Sequence, residues 1–499
     1  MKKIFKLSDL VVKIFFGIFT IFYGVGNLFF SAKIDELAGN YVKFSNDINL
    51  IKVISFLIIF LVLILLVKKD FFGIKDSTLL YTFLCISFII GIIWIFINDP
   101  IIREAGDSFN CFNAAKTIVG GNYSSLSYGS YISVYPNNIG LVTYFMIHIK
   151  IFGEDLALYT IRLVNLIFVL IGYYSLYGIG KNLFKENRTA NCTLIFLMFG
   201  SMQFVFYSFM VYGNCVSYSL GLLSIYNLLL YFKNKKINNV FISTISIIGS
   251  ITIKENSLII LIAELIFLIL YSIKNKEKVL IIFMVLMLIG SYAGTTGLQK
   301  FWSNRADIDY NNTKLPTICW IAYGLNYDQR KPGSYTSEFE AYHAESGYMA
   351  EYTSLQAKAF IDGVLENFKE KPLIMLRFYA QKFLISWADP QYDCLDGYRE
   401  LNNSDFVNDV IGGNINNVLS NYWNGIANII AIGLFALLVK KYKDIELFDL
   451  LPAVVVIGGF LFHAFWEVKS IYLYQYFMYL LPYGAYGISC LLDRGKNDQ

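Results

Sequence analysis

Asp99–Gly153 reads DPIIREAGDSFNCFNAAKTIVGGNYSSLSYGSYISVYPNNIGLVTYFMIHIKIFG. This polar, acidic and aromatic segment lies between two runs that are apolar enough to cross a membrane. Connections between neighbouring elements are typically only a few residues long. A segment of more than fifty residues at this place is therefore expected to have a function of its own.

The composition is typical of a polytopic membrane protein. Of the 499 residues, 56% are hydrophobic and 17% are aromatic, and the apolar residues occur in blocks. The net charge of +4 is too small to indicate a nucleic acid as partner, and the lysines cluster between the apolar blocks, where they act as topology signals. The seven cysteines form no CxxC pair and predict neither a metal cluster nor a disulfide framework, although a single bridge among Cys111, Cys319 and Cys394 stays open.

The apolar blocks predict an all-α fold with about 12 transmembrane helices, the first of them an uncleaved N-terminal span. The blocks lie near residues 11–31, 49–67, 78–97, 157–180, 190–209, 214–232, 238–254, 257–273, 279–297, 421–440, 447–465 and 470–492. Four regions follow from this pattern: two N-terminal helices (1–77), a transmembrane module that includes the segment 98–156 (78–297), a large polar region (298–420) and the C-terminal helices (421–499).

The lysine clusters predict the orientation, because short cytoplasmic loops carry the Lys and Arg excess. With both termini in the cytoplasm, every short inside loop contains Lys or Arg, and the segments 98–156 and 298–420 lie outside. This holds only if the helix at 138–152 does not span; about fifteen residues reach about 22 Å, less than the hydrocarbon core of about 30 Å. That helix and Pro372–Trp387, which carries Arg377 and Lys382, are therefore expected to lie at the outer interface.

Asp107 is the strongest candidate for a catalytic carboxylate. It opens a stretch with helical apolar spacing that ends at Gly120-Gly121, so an acid there is also favoured by the helix dipole, and an N-terminal capping role is the alternative. Asp99, beside Pro100 at the end of a span, ranks second.

Cations recur beside aromatic residues at turns predicted on the same face. Lys254-Glu255-Asn256 lies between two apolar runs, and His463–Tyr472 brings together Trp466, Glu467 and Lys469. A snorkelling ion pair and an aromatic belt are the alternatives. Together with a carboxylate in the first outer segment, the pattern suits an anionic lipid substrate whose phosphate is held by cations.

These motifs resemble the GT-C superfamily of membrane glycosyltransferases, in particular bacterial members related to the protein O-mannosyltransferase and aminoarabinose transferase group. The resemblance rests on Gly-Asp107-Ser and on a set of further motifs, which are Gly120-Gly121-Asn122-Tyr123, Gly129-x-Tyr131, Tyr135-Pro136-x-x-x-Gly140, Phe152-Gly153, Tyr212-Gly213-Asn214, Ile253–Ile259 and Trp466–Tyr472. Two departures are that Asp107 is followed by Ser108 instead of a second acid, and that Ile471 stands where relatives have a basic residue, a role that Lys469 can take.

The resemblance implies inverting transfer of one monosaccharide from a polyprenyl-phosphate carrier to a cell-envelope acceptor on the outer face of the bacterial plasma membrane. Asp107 would then be the catalytic base, and Lys254, Arg377, Lys382 and Lys469 would bind the lipid phosphate. The substrate-binding residues would be Tyr135, Asn256, Glu467, Tyr472, Trp320 and Tyr323. An ordinary folded loop is the alternative for Trp320 and Tyr323, and a structural turn is the alternative for Tyr135. Some relatives use a divalent ion near the loop acid, so a metal cofactor stays open, but the isolated His343 predicts no zinc site.

Two other functions stay open at this point. An outer-face polysaccharide polymerase or ligase also combines a dozen spans with a long outer loop, and it would rely on outer arginines. A lipid-linked sugar flippase or transporter would carry ionisable residues within its spans, and the spans here are nearly free of them.

Overall fold

The structure is a computed structural model that describes residues 2–35, 41–46, 50–68, 74–98, 102, 106–184, 187–328, 331–395 and 404–492. Asp99 lies outside the described residues. The described chain is almost entirely helical, in agreement with the expected all-α class, with one small antiparallel hairpin in addition. The hairpin pairs β1 (Phe30–Asp35) with β2 (Tyr41–Asn46) and is tied to the segment after the helix Pro372–Trp387 by the bond from Ala32 N to Ala388 O, 2.9 Å.

The described residues form 24 α-helices. In chain order these are α1 (Lys2–Phe29), α2 (Leu50–Lys68), α3 (Asp76–Ile97), α4 (Gly106–Val119), α5 (Tyr131–Val134), α6 (Ile139–Phe152), α7 (Glu154–Leu183), α8 (Arg188–Gly200), α9 (Gln203–Phe206), α10 (Asn214–Asn234), α11 (Ile237–Ile253), α12 (Leu258–Asn275), α13 (Val279–Tyr292), α14 (Leu298–Ala306), α15 (Tyr310–Thr313), α16 (Ile318–Gly324), α17 (Glu338–Glu345), α18 (Ala350–Glu370), α19 (Pro372–Trp387), α20 (Asp405–Gly412), α21 (Asn414–Lys440), α22 (Leu451–Phe465), α23 (Ser470–Met478) and α24 (Leu480–Leu492).

Helices occupy all twelve predicted blocks, but fewer of them are long and apolar enough to cross a membrane. Seven helices meet that requirement within the described chain, or eight if α8 and the segment Gln203–Phe209, bent by 44° against each other, form one span. Ile51–Leu66, Ile237–Ile253 and Leu480–Leu492 are shorter apolar helices. The polytopic membrane architecture is therefore supported, whereas the count of twelve spans is not confirmed.

The largest hydrophobic cluster joins the long helices, with α10 packed on α7 and α11, and α21 packed on α24. On the outside of this bundle, Ile281, Ile282, Leu288 and Ile289 of α13 are exposed, as expected for a surface that faces lipid. A second cluster joins α4 and α6 to the start of α7, and a third joins α16, α17 and α18. The polar segments 98–156 and 298–420 thus each have a folded core.

Two buried charged residues lie in the interior of candidate spans, as exceptions to the expectation that the spans are nearly free of ionisable groups. Glu264 of α12 is fully buried, and its Oε1 accepts a hydrogen bond from Ser224 at 2.5 Å. Arg162 of α7 is 1% exposed; its guanidinium lies 3.7 Å from the centroid of the Phe209 ring and its Nε donates to Phe209 O at 3.0 Å. Both were missed because a single charge changes the mean apolarity of a long run very little.

Candidate active site

Two tyrosines hold the carboxylate of Asp107, which lies half-exposed in the first turn of α4. Oδ1 accepts a hydrogen bond from the Tyr131 hydroxyl at 2.7 Å, and Oδ2 accepts one from the Tyr212 hydroxyl at 2.5 Å. Asn138 donates to the oxygen of Tyr131 at 2.8 Å and so orients that hydroxyl. Within the described chain the carboxylate binds side chains and no backbone N–H, which argues against a capping role alone. Each carboxylate oxygen keeps a second lone pair for a further donor.

Lys254 lies over one of the same tyrosines. Its Nζ is 3.5 Å from the centroid of the Tyr212 ring and 5.8 Å from that of Tyr472. Burial lowers the pKa of Lys254 to about 7, with the charge of Lys469 acting in the same direction and that of Asp107 against it. The ammonium group forms no hydrogen bond or ion pair with the described residues, so its contacts are aromatic faces and its protons are available to an anion.

Two glycines bring the Asp107 segment against Lys254. Gly140, at the start of α6, has no side chain, and a Cβ there would lie 1.7 Å from the carbonyl oxygen of Thr252 at the end of α11. Gly213 follows Tyr212 with φ 76°, and a Cβ there would lie 2.7 Å from Cγ2 of Ile253. Both positions therefore require glycine for the close approach. They are the glycines of the Tyr135-Pro136-x-x-x-Gly140 and Tyr212-Gly213-Asn214 motifs.

The turn between α22 and α23 adds a second carboxylate and a second lysine. Glu467 is 7% exposed, and its backbone N donates to Trp320 O at 3.1 Å. Burial raises the pKa of Glu467, and the charge of Asp107 raises it further, whereas Lys469 and Lys382 lower it. The side chain of Lys469 is exposed and acts electrostatically on both Glu467 and Lys254. The structure thus brings Asp107, Lys254, Glu467, Lys469 and Tyr472 to one end of the bundle.

Lys382 has a different place from the one expected for a phosphate ligand. Its side chain is 2% exposed, and Nζ donates to the carbonyl oxygens of Gly324 at 2.5 Å, Ala464 at 3.0 Å and Trp466 at 2.9 Å. These three bonds use all the donors of an ammonium group. Lys382 therefore ties α19 to the end of α16 and to the turn after α22, and we revise its predicted role to a structural one.

The aromatic residues predicted to bind substrate divide into two groups. Trp320 stacks on Trp466 with ring centroids 6.3 Å apart and meets Tyr135 edge-on at 6.2 Å, so it lies between the first polar segment and the last turn. Tyr323 instead is 1% exposed and packs against Tyr335 and Phe339 in the core of the segment 298–420. The expectation that Tyr323 lines a groove is therefore corrected, because the ring is enclosed by its own segment.

Arg377 and Asn256 are not drawn into the cluster by any contact of the described residues. Arg377 is exposed on α19, where Leu373 and Leu376 are also exposed, at 78% and 62%. Asn256 is half-buried in the short turn Glu255–Ser257, two residues after Lys254. Their binding roles stay predictions.

Glu340 of α17 is a residue that the sequence did not single out. Its Oε1 accepts a hydrogen bond from the Tyr135 hydroxyl and its Oε2 one from the Tyr335 hydroxyl. Burial raises the pKa of Glu340 to about 7, and the charges of Asp107 and Glu467 add to the rise. The only sequence signal was an acid in a helix rich in aromatic residues, more than two hundred residues from Tyr135, and this pattern is common in ordinary folded loops.

Residues 120–298 match the model of the Alg9-like mannosyltransferase family, which is a family of the GT-C superfamily. This part of the chain is similar to GT-C glycosyltransferases. A search of the curated proteins finds no match. The matched region contains Tyr131, Tyr135, Tyr212 and Lys254, whereas Asp107 precedes it and Glu340 and the last turn follow it. The GT-C resemblance inferred from the motifs is confirmed, and the roles of individual residues rest on the geometry.

No metal centre is evident within the described residues, where no group of three or more His, Cys, Asp or Glu is close enough to hold an ion. His343 is buried, with Nδ1 2.8 Å from the Thr353 hydroxyl and Nε2 2.8 Å from Thr313 O. Cys111, Cys319 and Cys394 are buried free thiols in three different hydrophobic clusters, so the disulfide left open by the sequence does not form here.

Proposed function

We propose that the protein is an inverting glycosyltransferase that moves one mannosyl unit from a polyprenyl-phosphate carrier to a cell-envelope acceptor. The observation that carries the proposal is the juxtaposition of Asp107 with Lys254 across the single ring of Tyr212. A base and a cation so arranged suit a reaction in which one side of the reacting carbon loses a proton and the other side gains negative charge. The choice of mannose follows the name of the matched family.

In the proposed reaction the acceptor hydroxyl attacks the anomeric carbon while Asp107 takes its proton. The bond from the anomeric carbon to the phosphate oxygen breaks, and the polyprenyl phosphate leaves with the bonding electron pair. Lys254, with Lys469 nearby, stabilises the additional charge on that phosphate by charge-assisted hydrogen bonds. Attack from the face opposite the leaving phosphate gives inversion. Burial keeps the pKa of Tyr131 and Tyr212 well above the usual value, and the charge of Asp107 raises it further, so both hydroxyls stay protonated and hold the base in place.

The proposed location is the extracytoplasmic face of the bacterial plasma membrane. Lys254 follows α11 and Tyr212 precedes α10, whereas the basic cluster Lys233–Lys236 lies at the opposite ends of these two helices. By the positive-inside rule a lysine cluster is expected to face the cytoplasm, which supports an outer position for Asp107. The carrier lipid would then reach the site from the bilayer, and a wall polysaccharide or another envelope acceptor would reach it from outside.

The two alternative functions require different residues. A polysaccharide polymerase or ligase would rely on outer arginines, and Arg377 makes no contact with the Asp107 cluster within the described residues. A flippase would need ionisable groups within the spans; Glu264 and Arg162 are such groups, so this second candidate is retained for the test.

The test uses the purified chain in proteoliposomes with radiolabelled polyprenyl-phosphate mannose. We expect label to move from the lipid to an added glycan acceptor, or to water when no acceptor is present, with loss of this activity in Asp107→Asn. Movement of intact lipid-linked sugar across the bilayer without cleavage of the sugar–phosphate bond would contradict the proposal and support a flippase.

A further inference from the structure

Glu340 has the geometry of a binding group built into the site. Its two oxygens are held by tyrosine hydroxyls from different segments, Tyr135 from the first polar segment and Tyr335 from the second. Each oxygen retains a lone pair that these bonds do not use. Tyr335 is 38% exposed, so this end of the carboxylate is accessible from the surface. A carboxylate fixed in this way is prepared to accept one more hydrogen bond.

Aromatic contacts connect Glu340 to the proposed base. The rings of Tyr135 and Tyr131 lie 5.1 Å apart, and Tyr131 donates to Asp107. Trp320 also contacts Tyr135, with the two rings nearly perpendicular. Tyrosine and tryptophan rings of this kind, beside a carboxylate, form a surface on which the apolar face of a sugar ring can pack while its hydroxyls donate to oxygen.

Glu340 and Lys254 differ in the charged groups that act on them. Those that act on Glu340 are the carboxylates of Asp107 and Glu467, whereas Lys254 is influenced by Asp107 and Lys469. Glu340 thus has two acidic neighbours, whereas Lys254 has one acidic neighbour, Asp107, and one basic neighbour, Lys469. A phosphate would be attracted to Lys254 and repelled by Glu340 and its acidic neighbours.

We infer that Glu340 is a specificity-determining residue that accepts a hydrogen bond from an acceptor sugar hydroxyl next to the reacting one and rejects acceptors bearing a phosphate near that position. The inference rests on the proposed function and deepens it, because it assigns the acceptor to the Glu340 side and narrows it to a sugar unit without charge at the reaction site. Anionic acceptors of the teichoic-acid kind are thereby disfavoured.

The experiment compares two acceptors, octyl mannoside and octyl mannoside 6-phosphate, with polyprenyl-phosphate mannose as donor and the full chain in proteoliposomes. The assays are run at about pH 8, where Glu340, with its pKa raised to about 7, is mostly ionised. The wild-type protein should prefer the neutral acceptor by about tenfold or more in kcat/KM. Glu340→Gln should raise the KM for the neutral acceptor about tenfold and reduce the discrimination, with kcat and the donor KM little changed, since a hydrogen bond to a charged group is lost. Tyr335→Phe, which removes one of the groups that hold Glu340, should cause a smaller change in the same direction.

Glu338→Gln is the matched control, because Glu338 lies on the same helix, is exposed and accepts a hydrogen bond from Tyr342 at 2.8 Å on that helix. It should match the wild type. Equal use of the two acceptors by the wild type, or unchanged acceptor KM and discrimination in both Glu340→Gln and Tyr335→Phe, overturns this inference alone. Absence of both transfer and donor hydrolysis in the wild type overturns the proposed function and this inference with it.

Discussion

Lys382 is buried and Lys254 is half-buried, and withdrawal from water lowers the pKa of each to about 7, yet their surroundings differ in a decisive way. Lys382 donates to three carbonyl oxygens and so completes its hydrogen bonding within the fold. Lys254 lies over the ring of Tyr212, with no hydrogen-bond acceptor among the described residues. In the sequence alone, the two lysines are equivalent cations beside aromatic residues. In the structure, the donors of Lys382 are used by the fold, whereas those of Lys254 meet no acceptor among the described residues.

The difference teaches that desolvation alone does not identify a functional lysine. A lowered pKa arises at both positions, because both side chains are withdrawn from water. The two lysines differ in whether the N–H donors of the ammonium group have acceptors within the protein. A cation that is withdrawn from water without such acceptors is costly, and it is typical of sites where a ligand or a reaction uses the charge.

The largest effect is expected for Asp107→Asn, which tests whether the group beside Lys254 performs chemistry. The amide keeps the size of the side chain but cannot take the proton of the acceptor, so kcat should fall by about 10² to 10⁴ while donor binding persists. The measurement is radiolabel transfer at saturating donor, together with binding of the donor lipid. Asp155→Asn, an exposed acid in the first turn of α7, is the control and should leave kcat unchanged. Full activity in purified Asp107→Asn would remove Asp107 from the mechanism.

For Lys382→Met the expected effect is on stability. The substitution keeps the bulk of the side chain but leaves three carbonyl oxygens without their donor, so the free energy of unfolding should fall by about 3 kcal/mol or more. Thermal unfolding in detergent measures the change, with Lys371→Met, an exposed lysine just before α19, as the control. An unchanged Tm combined with weaker donor binding would return Lys382 to the phosphate site.

Lys254→Met should weaken donor binding and leave stability almost unchanged, which is the opposite of the effect expected for Lys382→Met. Loss of the ammonium removes a charge-assisted hydrogen bond to the donor phosphate, so the donor KM should rise by about 10- to 100-fold with little change in Tm. Donor titrations in the transfer assay measure it, and Lys300→Met, at an exposed lysine of α14, should behave like the wild type. A loss of stability as large as that of Lys382→Met, with donor KM intact, would show that the comparison between the two lysines is mistaken.

The pH dependence of donor binding tests whether the charged form of Lys254 binds the donor phosphate. Because the pKa of Lys254 in the free protein is lowered to about 7, the side chain is charged below that pH and becomes neutral above it. A bound phosphodiester keeps its single negative charge over this range and favours the charged lysine, so binding requires proton uptake above pH 7. Donor KM should therefore increase with pH above about 7, by up to about tenfold per unit. Lys254→Arg should flatten the profile, since arginine stays charged; a flat profile in the wild type would contradict the assignment.

The smallest effect is expected for Tyr212→Phe. The ring stays under Lys254, but Asp107 loses one of its two hydroxyl donors, so kcat should fall by about 3- to 10-fold while donor KM changes little. Tyr131→Phe removes the other donor and should match it within a factor of about three. If Tyr212→Phe raised donor KM without affecting kcat, the hydroxyl would belong to donor binding instead.

The fold class could be predicted from the sequence because blocks of apolar residues are a direct physical requirement of a membrane. The number of spans is not confirmed, since α8 breaks after Gly200 and α11 is only seventeen residues long. Such breaks depend on packing that a window average does not see. Glu264 was missed for the same reason.

Part of the site was also predictable. Asp107, Lys254, Glu467 and Tyr472 were expected from motifs, and the structure places them together. Glu340 was not, because its partners Tyr135 and Tyr335 come from two segments that meet only after folding. Tyr323 and Lys382 were assigned wrong surroundings because residue type and local pattern do not indicate whether hydrogen bonds and ring faces are already used inside the protein.

The central claim is tested most directly by the structure of the Asp107→Asn protein with polyprenyl-phosphate mannose bound. Our account predicts a phosphate oxygen within about 3 Å of Lys254 Nζ, with the anomeric carbon between that phosphate and residue 107. A phosphate held at Lys382, or at the basic cluster Lys233–Lys236 at the other end of the bundle, would contradict it.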